Sequence, residues 1–154
     1  MITKRKPMAI ALDADDTLVD WIGGFCNYHN KLYGTTVDGH KAPGYDLSAW
    51  LGIDREVMQD RMNDFNHSWE FGCLEPMRYA VDVIHYLQDY NETANDEDRI
   101  HIIVLSKCGS DDVVRNLRLA NLEGVFGANC FDEVTLIDPH MSKQPYLQAI
   151  RDEY

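Results

Sequence analysis

The stretch that most constrains the fold is "MAIALDADDTLVDW", residues 8–21. Five apolar residues run directly into aspartates at positions 13, 15 and 16, and the chain turns apolar again after Thr17. A short, unbroken apolar run reads as a central strand of a parallel sheet, covered on both faces. In an open sheet of that kind, ligands collect beyond the carboxyl ends of the strands. The three carboxylates therefore stand where a ligand would bind. They repel one another, so either they line a solvated turn or something positive lies among them.

The rest of the chain alternates helix and strand. Leu18, Ile22, Phe25, Tyr28 and Leu32 recur at three- and four-residue steps and predict a helix. Residues 34–52, broken by Gly34, Gly39, Pro43 and Gly44, read as loop and turn. Asp54 is placed to cap a second helix, with Val57, Met58, Met62 and Phe65 inward. A third helix is expected over 77–90, through Val81, Ile84 and Leu87. Residues 100–105 form a second apolar strand, ending at Ser106. Asp111 and Asp112 start a helix that carries Val113, Val114, Leu117 and Asn121 and is closed by Gly124 and Gly127. "FDEVTLID", 131–138, predicts a third strand, and Ser142 with Pro145 opens a last helix. This order implies right-handed crossovers and an α/β fold built on an open, three-layer parallel sheet. Asp13 and Ser106 fall at the same edge of that sheet.

Bulk properties exclude several functions. At 154 residues the chain is one ordinary domain with room for a small insert. Its 45% hydrophobic and 26% charged residues suit a folded protein rather than a disordered one. A net charge of −12 repels nucleic-acid backbones and anionic membranes, so polymeric DNA or RNA is not an expected partner. The basic Lys4-Arg5-Lys6 run is too short to reverse this. No segment approaches the length of a membrane span. Cys26, Cys73, Cys108 and Cys130 include no C-x-x-C pair, which points to reduced cysteines in a cytoplasmic protein. The six histidines show no zinc spacing.

Asp13 and Asp15 at a strand end suit Mg²⁺, which keeps several waters and binds one or two carboxylates together with substrate phosphate. Asp13 can then attack phosphorus, and Asp15 can protonate the leaving oxygen and later deprotonate water. Ser106 can hydrogen-bond a phosphoryl oxygen, and a lysine would neutralise the developing charge. Thr17 is expected to orient the loop through its hydroxyl, and Asp16 to be a turn residue. Lys107 is an alternative phosphate contact. Trp21 is the tryptophan best placed to touch a substrate, while Trp50 and Trp69 read as packing.

"ALDADDTLVD" resembles the first motif of the haloacid dehalogenase (HAD) superfamily, an apolar strand followed by D-x-D-x-T. "IHIIVLS" is similar to its second motif, and Lys143 stands where the third places a lysine. The resemblance implies a Rossmann-like HAD core, 1–22 and 76–154, with a small helical cap at 23–75 inserted after the first strand. It makes Asp13 the nucleophile, Asp15 the acid/base, Ser106 and Lys143 the phosphate binders, and Asp13 with the Asp15 carbonyl the Mg²⁺ ligands. The implied activity is hydrolysis of a small phosphate monoester through an aspartyl-phosphate. No membrane partner is implied, and oligomerisation is left open.

"DWIGGFCNYHNKLYGT", "YDLSAW" and "FGCLEPMRYAVDVIHYL" look like the 5'(3')-deoxyribonucleotidase branch, which narrows the expected substrate to a nucleoside monophosphate. Asp16 and Tyr79 stand where that branch carries glycines. The superfamily's fourth motif, an apolar strand ending in acids, has no clear counterpart. "YLQAIRDEY" reads as helix, so the expectation is a truncated or reduced metal site, with Asp138 or Asp152 as substitute ligands. The alternative is a HAD-like module with lost or reduced catalysis and a binding or regulatory role.

Overall fold

Three parallel strands, β1 (Met8–Leu12), β2 (Ile100–Lys107) and β3 (Glu133–Ile137), lie side by side in the order β1-β2-β3 in the computed structural model, which describes residues 6–44 and 46–154. Lys4 and Arg5 of the basic amino end and Tyr45 of the "YDL" stretch lie outside the described residues. The register sets Leu12 beside Val104, and Ser106 beside Leu136. The architecture is the expected α/β fold of Rossmann type, with one correction. The central strand is β2, buried from Ile102 to Ser106, whereas β1 is an edge strand among the described residues and only partly covered. An apolar run reports how the faces of a strand are covered, not how many strands flank it.

Among the described residues six α-helices accompany the sheet: α1 (Trp21–Tyr33), α2 (Leu47–Leu51), α3 (Arg55–Asn66), α4 (Ala80–Thr93), α5 (Asp112–Phe126) and α6 (Gln144–Glu153). Local chemistry fixes their ends. Asp20 caps α1 by accepting from the Gly23 amide at 2.9 Å, and Gly34, with φ of 65°, ends it in the left-handed region. Asp111 caps α5 through the Val114 amide at 3.1 Å. The Ser142 hydroxyl accepts from the Gln144 amide at 3.1 Å as α6 begins, with Pro145 in the first turn.

Several expectations need adjusting. Leu18 precedes α1 rather than lying on it, and Leu32 is exposed; the inward face is Gly23, Phe25, Cys26 and His29. The segment 34–52 holds a 3-10 turn at Gly39–Lys41 as well as α2, because Asp38 and Asp46 cap them through the amides of His40 and Ala49. Asp54 stands at the start of α3 without a side-chain capping bond, and Val57 and Val113 face solvent. Gly124 sits inside α5, leaving Gly127 to close it.

The elements between β1 and α4 pack largely on one another. Phe65 of α3 is their hub, with ring centroids 5.6 Å from Phe25, 5.3 Å from Tyr28 and 5.9 Å from Phe71. Each such pair contributes about 0.5–1.5 kcal/mol beyond area burial. Phe25, Met58, Phe65 and Phe71 join Ile84, Ile102, Val104, Val114 and Leu122 in one continuous apolar cluster. No helix among the described residues is long and apolar enough to cross a membrane.

Candidate active site

Beyond Leu12 the chain leaves the sheet and closes a tight loop. The amides of Leu18 and Val19 both donate to the Ala14 carbonyl, at 2.9 and 3.0 Å, and the Asp16 amide donates to the Val19 carbonyl at 2.8 Å. Asp16 occupies the left-handed region, with φ of 55°, and its carboxylate accepts from the Ile22 amide at 2.9 Å. It is the turn residue expected of it, and it helps Asp20 hold the start of α1. Tyr79, ahead of α4, has φ of 67°. Asp16 and Tyr79 thus both hold a glycine-like backbone, at a cost of about 1–2 kcal/mol for a residue with a Cβ.

The loop presents Asp13 and Asp15 differently. Asp13 accepts from the Ala14 amide at 2.8 Å through Oδ1. Its Oδ2 meets Lys143 Nζ at 2.5 Å, although the two residues lie near opposite ends of the chain. Asp13 is 45% exposed and open to a ligand, while Lys143 is more enclosed. Asp15 pairs instead with Arg118, which is 1% exposed, through a contact between Oδ1 and Nη2. Burial pushes the Asp15 carboxyl up to about 6. The Arg118 guanidinium opposes that rise, while Asp13 and Asp16 add to it. The side chain keeps 34% exposure, so one side is open while the surrounding walls strip most of its water.

Arg118 was not singled out from the sequence, yet a signal was there. It lies four residues after Val114 and four before Leu122, a cation on the apolar stripe of α5. Its guanidinium also stacks over Phe71 at 4.3 Å and reaches Asn121 Oδ1 at 3.4 Å.

The remaining candidates are distributed as follows. Ser106 is buried, one residue before the end of β2, and its hydroxyl donates to the Lys107 carbonyl at 3.4 Å. Leu12 sits beside Val104, so Asp13 follows directly on the strand that neighbours β2, where Ser106 lies two residues past that pair. Lys107 closes β2 and is exposed. Thr17 is exposed, and its hydroxyl forms no hydrogen bond among the described residues; the loop is closed by main-chain groups. The Trp21 ring stacks on Phe25 at 5.2 Å and donates to Asn66 Oδ1 at 3.0 Å, while also lining a cavity with Asp16, Leu47 and Met62. Asp138 follows β3, where its carboxylate accepts from the His140 amide at 2.8 Å. Asp152 lies at the other end of α6 from Lys143, about 13.5 Å along the axis at 1.5 Å per residue, and binds Gln148. The helical reading of "YLQAIR" holds, and it removes Asp152 from the site.

Two oxygens suit a hard dication here. One belongs to the exposed Asp13 carboxylate, and the other is the main-chain carbonyl of Asp15. The latter takes no part in the Asp15–Val19 bridge, which uses the Ala14 and Val19 carbonyls. No cluster of three or more histidines, cysteines, aspartates or glutamates able to hold a metal occurs among the described residues. The residues thus fit a partial shell, of the kind Mg²⁺ completes with water and phosphate.

No protein-family model matches the sequence, and no curated protein matches it. A solved structure of a haloacid dehalogenase-like hydrolase from Streptococcus pneumoniae is similar over 95% of this chain and 70% of that one. The TM-score is 0.57 and the sequence identity 14%. The loop after β1, with its paired carboxylates at the carboxyl edge of a parallel sheet, is therefore carried on a haloacid dehalogenase-like fold.

Proposed function

We infer that the protein is a hydrolase that releases phosphate from small monoesters, with residues 23–75 as a cap over a core of 1–22 and 76–154. The observation that carries this reading is the 2.5 Å pair of Lys143 and Asp13 at the carboxyl end of β1. A lysine that lies against an open carboxylate is placed to hold an incoming phosphoryl group beside a nucleophile.

Asp13 attacks phosphorus and forms an aspartyl-phosphate, while the leaving oxygen takes a proton from Asp15. Water then attacks the same phosphorus and gives a proton to the Asp15 carboxylate, the bond from Asp13 to phosphorus breaks, and both carboxyl groups are restored. Lys143 neutralises the phosphoryl oxygens, and the Ser106 hydroxyl turns from the Lys107 carbonyl to donate to one of them. Lys107 and Thr17, both exposed, would serve as further contacts. Asp13 and the Asp15 carbonyl would hold Mg²⁺, which would supply the charge neutralisation that lets two anions approach. Trp21 and the cavity beside Asp16 suit an aromatic leaving group, and a nucleoside monophosphate is the narrower substrate reading. Four unpaired cysteines agree with a cytoplasmic location.

A second reading, a fold of this type retained for binding with reduced catalysis, draws on the absence of a three-acid metal cluster among the described residues. One experiment separates the two. Purified protein with Mg²⁺ is assayed for phosphate release from a panel of monoesters, beside Asp13→Asn. Turnover that Asp13→Asn abolishes supports the hydrolase. Equal, negligible turnover in both proteins, with phosphate binding intact, supports the binding module.

A further inference from the structure

Arg118 is among the largest fully buried side chains of the protein. Removing a guanidinium from water costs several kcal/mol unless its donors are met, and an apolar residue of similar volume is often as stable or more so. Here the donors are met unevenly, with the Cys108 thiol as a further hydrogen-bond partner of the guanidinium. Nη2 engages Asp15 Oδ1, Nη1 reaches Asn121 Oδ1 at a long 3.4 Å, and Nε is buried without a partner. A pair serving stability alone would set both nitrogens of the fork against both carboxylate oxygens. This one holds a single oxygen and leaves Asp15 Oδ2 without a hydrogen-bond partner among the described residues.

The surroundings of Arg118 extend this. Asn121, which accepts from Arg118, donates its own amide to the Leu74 carbonyl at 2.9 Å. Leu74 begins the segment by which the chain returns from the inserted helices to α4. That segment is bonded to the Asp15 loop through the Asp20 amide and Glu75 carbonyl at 2.8 Å, and through the Met77 amide and Leu18 carbonyl at 2.9 Å. Phe71, under the guanidinium, lies three residues ahead of that segment. Both passages between sheet and insert thus converge on one buried cation.

The geometry points to Arg118 as the positioning residue for Asp15: it fixes Oδ1 and ties the loop to the return segment, so that Oδ2 alone faces the reacting oxygen. This rests on the acid/base role given to Asp15 above. Arg118 touches neither substrate nor phosphorus; it acts through the carboxyl group it holds. Misplacing a reacting group by about 1 Å costs on the order of 10²-fold in rate.

The test compares Arg118→Met, Arg118→Lys, Asp15→Asn and the double variant Arg118→Met/Asp15→Asn, with phosphate release and the side-chain rotamer of Asp15 by NMR couplings as readouts. Arg118→Met is expected to lower kcat about 10²-fold with KM unchanged, and Arg118→Lys to retain part of the rate. In the Asp15→Asn background, Arg118→Met should change kcat no further, because the arginine has no carboxylate left to hold. Asp15 should occupy one rotamer in the parent and several in Arg118→Met. Additive losses in the double variant, or a single Asp15 rotamer in Arg118→Met, would overturn the inference. Should Arg118→Met fail to fold, Arg118→Lys decides: an unaltered rate and rotamer refute the role. Absence of turnover in the parent refutes the hydrolase reading instead, and the rotamer measurement still decides whether Arg118 holds Asp15.

Discussion

Lys143 Nζ lies 2.5 Å from Asp13 Oδ2, joining the residue that opens α6 to the residue that follows β1. On the function proposed above, the contact would set a fixed positive charge where the transferred phosphoryl group builds negative charge. Lys143→Met should lower kcat/KM for a monoester by about 10²–10³-fold, the usual cost of one preorganised electrostatic contact. Steady-state kinetics with an unchanged thermal melt would check it; a loss matched by unfolding would assign the lysine to stability.

Tyr79 carries φ of 67° with its ring exposed, so little packing offsets the backbone cost. Tyr79→Gly should raise stability by about 1 kcal/mol, read as a higher denaturation midpoint. Asp16→Gly should not, since Asp16 also supplies the acceptor for the Ile22 amide.

Phe65 meets Trp21, Phe25, Tyr28 and Phe71 and is fully buried. Phe65→Ala should cost about 3–5 kcal/mol in urea or thermal unfolding. A loss below about 1 kcal/mol would mean that the inserted helices do not pack as described.

The Asp15 carboxyl stands at about 6 in the fold against an ordinary 3.8, so the folded state holds this proton more tightly. Its contribution to stability is full below about pH 4 and is lost as pH climbs through 6. In metal-free buffer the melting temperature should therefore decline across that window, and Asp15→Asn should flatten the decline. Parallel pH profiles for the two proteins would show that Asp15 is not the group responsible.

How much was legible follows from what each residue signals locally. Asp13 was readable because an apolar strand and a D-x-D spacing announce a strand end with charge on it. Lys143 was readable only through motif order; nothing local separates it from a surface lysine. Arg118 escaped because a charge on a helix is ordinarily solvent-facing, and its partner Asp15 is far away in sequence. The edge position of β1 was hidden because strand order is decided by which ladders form, and side-chain pattern is blind to that. The 3-10 turn and α2 were missed because glycine and proline outweighed Asp38 and Asp46, whose capping bonds set those short turns.

The apolar cluster runs unbroken from Phe25 and Phe65 through Phe71 to Val104, Val114 and Leu122. Lifting the inserted helices away would wet that seam, at about 25 cal/mol for every Å² of hydrocarbon uncovered. A wide hinge-like swing is thus disfavoured. Denaturation is expected as a single concerted melt in which these helices and the sheet come apart together.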